Sequence, residues 1–133
     1  ASTRLCPSVP AQFAVQAALS GVQSIDALIA PTGRLHEQRD AAWQGLEAIP
    51  GVSCVMPRGA LYAFPRFDPE VYEIPDDAQF VRDFLIAEHV LLVQGSGFNW
   101  PTTDHVRIVT LPEARVISDA IERLGNFLAS WRP

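Results

Sequence analysis

The sequence predicts an α+β fold, a small mixed sheet of about four strands with helices packed mainly on one face. Three observations predict it. Apolar residues hold a helical period over four turns near the C-terminal end, and over a shorter stretch in the first half. Short apolar or alternating runs lie between these stretches, bounded by Pro, Gly and Asp. The order along the chain is helix, helix, strand, strand, helix, strand, strand, helix, the pattern of a sheet with segregated helices.

Pro7 to Gly21 opens the series, with Ser8 as N-cap, Pro10 in the first turn and Gly21 after the end. This helix is mostly Ala and Gln. Phe13, Val15 and Leu19 are its only large apolar residues within the turns, so it has little to fold onto by itself. Ser24 to Ala30 is short and apolar, and Pro31-Thr32-Gly33 breaks it. A second helix runs from Gly33 to Ala48, with Leu35, Ala42, Trp43 and Leu46 on one side. Val52 to Met56 and Ala60 to Phe67 read as strands joined by Pro57-Arg58-Gly59 in a hairpin-like pair, and Pro65 marks an edge.

Asp76, with Gln79 three residues on, reads as a capping box for a helix over Asp76 to His89, whose buried side is Phe80, Phe84, Leu85 and Ala87. Val90-Leu91-Leu92-Val93 is wholly apolar and so reads as a central strand. His105 to Thr110 is the last strand. Thr110 and Glu113 repeat the capping-box pattern before a helix over Glu113 to Trp131. Val116, Ile117, Ala120, Ile121, Leu124, Phe127 and Leu128 carry its period.

The bulk numbers set bounds. At 133 residues the chain is one domain by length and can bury roughly two-thirds of its unfolded surface. Hydrophobic content of 48% against 19% charged argues against disorder. A net charge of −5 argues against a nucleic-acid partner. No apolar run reaches transmembrane length. Cys6 and Cys54 read as two reduced, mostly buried thiols, with a single disulfide as the alternative. The start, without Met or an apolar signal region, reads as a chain cut from something longer. His36, His89 and His105 form no paired metal-ligand spacing and no GxSxG elbow is present, so neither a metal site nor a hydrolase site is expected. Asp76, Asp77, Glu70 and Glu73 are explained by capping and solvation.

Chemistry concentrates in one place. Alternation in the last strand turns Val106 and Ile108 to the helices and leaves His105, Arg107 and Val109 on the other face. An arginine in an apolar strand must meet an anion or reach water. Its planar fork matches a carboxylate bidentately, so one reading is a substrate-carboxylate clamp. The other is a structural pair with an Asp or Glu on the open sheet face. Gly95-Ser96-Gly97 allows close backbone approach to a ligand or is an ordinary strand-exit turn. Phe98 and Trp100 beside it either line a pocket or cap the sheet edge.

Four segments carry a family resemblance. They are Leu5 to Gln12, Gly33 to Asp40, Gly59-Ala60-Leu61-Tyr62-Ala63-Phe64-Pro65, and Val93-Gln94-Gly95-Ser96-Gly97-Phe98-Asn99 through His105-Val106-Arg107-Ile108-Val109-Thr110-Leu111-Pro112. Together they resemble the C-terminal part of the class I, fold-type I, pyridoxal-phosphate-dependent aminotransferases, in their bacterial alanine/aspartate branch. The resemblance covers essentially the whole chain, and the last segment is its most specific part.

The resemblance implies that residues 1–32 are the end of a truncated large domain and 33–133 a connecting helix plus a C-terminal small domain. It implies that Arg107 binds the α-carboxylate of the amino acid, with Phe98 and Gly97 lining the same pocket. Ser8 would lie near a partner subunit's site, at a position where the family often has asparagine. The parent would be a cytoplasmic homodimer using pyridoxal 5'-phosphate to move an amino group between a small L-amino acid, such as alanine, aspartate or glutamate, and a 2-oxo acid. All ten basic residues here are arginine. The Schiff-base lysine, the phosphate-gripping residues and the acid on the pyridine nitrogen would therefore belong to a missing large domain. No catalytic residue is expected in this stretch, which alone would be inactive. The rival reading is a stand-alone α+β module that binds an amino acid or regulates in response to one.

Overall fold

The computed structural model describes residues 8–132. In chain order the elements are α1 (Val9–Ser20), α2 (Ser24–Ile29), α3 (Arg34–Glu47), β1 (Val52–Ser53), β2 (Tyr62–Ala63), β3 (Arg66–Phe67), α4 (Asp77–Glu88), β4 (Val93–Gln94), a 3-10 turn (Gly95–Phe98), β5 (Val106–Val109) and α5 (Ala114–Ser130). This is the α+β class the sequence predicts.

The strands are short and pair only antiparallel, so the expected mixed sheet is replaced by an antiparallel one. β5 is central. It pairs with β2 through Ala63 opposite Ile108, and with β4 through Val93 opposite Arg107. β3 pairs with β1, and Arg66 bridges back to His105. β2 and β3 are thus two halves of one broken strand running along β5. Pro65 makes the break, because it has no N–H for the ladder. It is fully buried, and its carbonyl still accepts from the Val106 N–H at 3.3 Å. It does not mark an edge. The hairpin-like pair exists, but it joins β1 to the second half of that strand, with β2 inside the connection.

Two further expectations change for the same reason, namely that periodicity does not fix register. Val90 to Leu92 stays outside any strand and leads into β4, which lies at the sheet edge and not its centre. Leu92 enters the core while Leu91 is exposed. Ser24 to Ala30, left without an assignment in the sequence, holds the short helix α2. Gly33 follows because a Cβ there would sit 2.4–2.6 Å from the carbonyl groups of Ala27 and Leu28.

One core lies on the helix side of the sheet. α3 contributes Ala42 and Leu46, α4 contributes Phe80, Val81 and Phe84, and α5 contributes Ile117, Ile121, Leu124 and Leu128. They meet Val52, Ala63, Phe67 and Val106 from the strands. Leu85 and Ala87, expected on the buried side of α4, face outward, and Val81 takes the inward place. Asp76 caps α4 by accepting from the Ala78 and Gln79 N–H groups. α5 starts at Glu113 without a side-chain cap, so the Thr110 box is not formed. Trp43 is half-buried against the core and ties α3 to the chain after β1, donating from Nε1 to the Cys54 carbonyl at 2.9 Å. Cys54 is a buried free thiol whose pKa is raised, chiefly by burial; Cys6 lies outside the described residues.

Candidate functional site

The face of the sheet opposite the core carries Arg107. Val106 is buried and Ile108 packs on the core, so alternation turns Arg107 away from the helices. The guanidinium carbon lies 4.7 Å from the Tyr62 ring centroid and 4.3 Å from the Phe98 ring centroid. These are cation–π distances. No carboxylate pairs with Arg107 among the described residues, and its buried Nε has no protein hydrogen-bond partner there. A structural Asp or Glu partner is therefore not what holds this arginine. Two aromatic faces fix a cation whose charge no neighbouring acid neutralises, in an arrangement that suits an incoming anion.

The turn that carries Phe98 is anchored from two sides. Gly95 donates its N–H to the His105 carbonyl at 2.9 Å, and a Cβ on it would lie 2.8 Å from that same oxygen. Its missing side chain therefore serves close approach to β5. Gly97 has no such constraint; a Cβ there meets only the Gln94 side chain, at 3.7 Å. It stands one residue before Phe98 in the turn.

Asp77 supplies the second anchor. Its carboxylate accepts from the Ser96 N–H at 2.8 Å and from the Ser96 hydroxyl at 2.7 Å, and the residue is 3% exposed. Sequence reasoning assigned Asp76 and Asp77 alike to capping. Only Asp76 caps; Asp77, one position on, turns inward and fixes the loop. An acid directly after an N-cap acid was the available signal, but only the fold shows what it meets. Tyr62 carries no site signal in the sequence, because its nearness to Arg107 depends on a strand register the sequence does not display.

Trp100 resolves toward structure. It packs against Phe64 and His105 with centroids 5.2 and 4.7 Å away, and Phe64 stacks on His105 at 4.9 Å. His105 Nδ1 lies 2.8 Å from Asp104 Oδ1, and Arg66 donates to the other Asp104 oxygen at 3.0 Å. Burial pushes the Asp104 carboxyl up. The hydrogen bonds from Thr102, His105 and Arg66, with the charge of His105, outweigh it and hold the carboxyl at about 2. This cluster braces the strand from which Arg107 projects. His36 pairs instead with Asp40 on α3, and His89 ends α4 in a left-handed conformation. Among the described residues no group of three His, Cys, Asp or Glu side chains is placed to hold a metal ion. No single helix there is long and apolar enough to cross a membrane.

A cleft of about 920 Å³ lies elsewhere, between the end of α3, the 71–74 segment and α5. Its walls mix Ile49, Tyr72, Ile121 and Trp131 with Glu73, Glu122 and Arg132. Two acids there outnumber one cation, whereas no acid pairs with Arg107 among the described residues.

Comparison with known proteins identifies the family. The family model for aminotransferase class I and II matches residues 1–124. The chain is 64% identical over 132 residues to an alanine aminotransferase of Mycobacterium bovis, covering 99% of this chain and 31% of that protein. It is 55% identical over 131 residues to the glutamate-pyruvate aminotransferase AlaA of Escherichia coli, covering 98% and 32%. A crystal structure of an aminotransferase from Escherichia coli superposes with a TM-score of 0.89 at 54% identity, over 99% of this chain and 33% of that one. The chain thus spans about a third of the length of the curated relatives it matches.

Proposed function

The chain belongs to the class I and II aminotransferases, and on that premise we propose that these residues form the carboxylate-gripping part of an enzyme that moves an amino group between a small L-amino acid and a 2-oxo acid. The observation that carries the reading is Arg107, held between two aromatic rings with no acid to neutralise it. The donor class is alanine, glutamate or aspartate. Names of relatives support it, since they include alanine, glutamate-pyruvate and aspartate aminotransferases.

Arg107 takes the α-carboxylate, which amino acid and 2-oxo acid share, so one arginine serves both halves of the exchange. Phe98 walls the guanidinium and Gly97 completes the turn beside it. The group that does the chemistry in the whole protein is pyridoxal 5'-phosphate. The 133 residues contain no lysine, so the amine such a cofactor needs is not among them, and this stretch does not fit the group. By itself the stretch is inactive. Residues 1–32 belong to the end of a large domain, and residues 33–133 form the connecting helix and small domain. Homodimeric assembly and a cytoplasmic location complete the proposal and rest on the family resemblance.

Replacing Arg107 by lysine in the whole protein keeps the charge and removes the fork. Loss of one charge-assisted hydrogen bond of about 1.5–3 kcal/mol lowers kcat/KM roughly tenfold to a hundredfold. Arg107→Ala is worse, and the cofactor's absorption spectrum stays unchanged in both. Wild-type kcat/KM in the lysine variant, with unchanged Tm, would remove Arg107 from the site.

A further inference from the structure

Tyr62 has no role in the reading above, yet it makes half of the Arg107 setting. It lies opposite Val109, two residues along β5 from Arg107, and so sits diagonally beside it on the same sheet face. Its strand flanks β5 on one side. Phe98 follows β4, which flanks β5 on the other. The two rings therefore reach the guanidinium from opposite flanks, at 4.7 and 4.3 Å from its carbon. Tyr62 is 46% exposed, so core packing does not account for it.

We propose that Tyr62 is a positioning residue for Arg107: its ring and that of Phe98 form an aromatic slot that stops the guanidinium from rotating and leaves its in-plane edge as the approach for a planar carboxylate. The proposal rests on the carboxylate reading of Arg107. The physical reason is twofold. A guanidinium binds a carboxylate bidentately only in its own plane. Ring faces are electron-rich, so they attract the cation and disfavour an anion lying over it. The Nε is buried and unpartnered, which leaves the outer nitrogens to form the fork. The ring does this work, and the hydroxyl does not.

The test uses the whole protein with alanine and glutamate as donors and a 2-oxo acid as acceptor. Tyr62→Phe keeps kcat/KM within about twofold, since the ring face remains. Tyr62→Leu lowers kcat/KM about fivefold to twentyfold, with most of the change in KM and by the same factor for both donors, because both present the same carboxylate. Tyr62→Met gives the same result and serves if the leucine variant melts early. In an Arg107→Lys background, Tyr62→Leu adds less than about twofold. Unchanged KM in Tyr62→Leu while Arg107→Lys is damaged would overturn the slot and leave the carboxylate reading standing. A full Tyr62→Leu effect persisting beside Arg107→Lys would show that Tyr62 acts independently, and would overturn it too. Damage by Tyr62→Phe equal to that by Tyr62→Leu would assign the role to the hydroxyl. An undamaged Arg107→Lys variant would instead remove the carboxylate reading itself.

Discussion

α1 and α5 are both helices of one chain, and they differ in what their apolar residues meet. α5 carries Ile117, Ile121, Leu124 and Leu128 on a single stripe, and all four are at most 4% exposed. α1 carries Val9, Phe13, Val15 and Leu19, all of them exposed, and buries no residue. A helix in water draws most of its stability from a packed apolar face. α5 has that face within these residues. α1 does not, and it carries no charged side chain to make up for it. Ile25 and Ile29 of α2 are exposed as well. Exposed apolar surface of this kind marks a place where another surface belongs. That agrees with the proposal that residues 1–32 belong to a different domain from the rest.

Hydrogen exchange on the 133-residue chain tests this contrast most strongly. Amides in the middle of α5 open only with global unfolding, whereas those of α1 open by local fraying. For a domain stable by about 5 kcal/mol or more, protection in α5 exceeds that in α1 by on the order of a thousandfold. Equal protection in the two helices would break the comparison. In the whole protein the gap closes, because α1 then has its partner.

Truncation gives a smaller version of the same test. Leu124→Ala removes a side chain that is 1% exposed and costs about 2–5 kcal/mol in the isolated chain. Leu19→Ala removes one that is 77% exposed and stays within about 0.5 kcal/mol. Thermal or urea denaturation reads both. In the whole protein Leu19→Ala becomes costly, and if it remains neutral there, α1 has no docking surface.

How much of this was legible depended on the kind of signal. The stripe of α5 is written in the sequence at 3.6-residue spacing; Ile117, Ile121, Leu124 and Leu128 are buried as expected, Ala120 and Phe127 lie half-buried beside them, and Val116, expected on the stripe, faces outward at its edge. The sparse apolar content of α1 was also readable, together with its lack of partners. Register was not. Pairing of Tyr62 with Val109 and of Val93 with Arg107 depends on how strands of two to four residues slide past one another, and strands that short carry almost no periodic information. Everything that depends on register was therefore missed, including Tyr62 beside Arg107, the break at Pro65 and the edge position of β4. Alternation singles out the position of Arg107, and the roles of Arg107 and Phe98 come from the family resemblance. Asp77 was passed over because a second acid at a helix start has a sufficient local explanation, and the tie to Ser96 spans 19 residues.

Acid provides the smallest effect and discriminates within the packed half. Asp104 links β3 to β5: it accepts from Arg66 through its side chain and from the Phe67 N–H through its carbonyl at 2.7 Å. Its folded carboxyl titrates at about 2, below an unfolded value of about 3.9. A depressed carboxyl contributes stability above the unfolded value and loses it as pH falls toward the folded one. The loss from this group therefore falls between about pH 4 and pH 2. Asp104→Asn keeps the shape and removes the titration, so the variant is less stable than the parent at pH 5 and the two converge toward pH 2. Urea midpoints at pH 5, 3.5 and 2.5 measure this. In hydrogen exchange, the lost protection falls on residues 62–67 and 105–109 and leaves α1 unchanged, since no residue of α1 titrates. Parallel pH profiles for parent and variant would show that the Asp104 links do not hold the strand that carries Arg107.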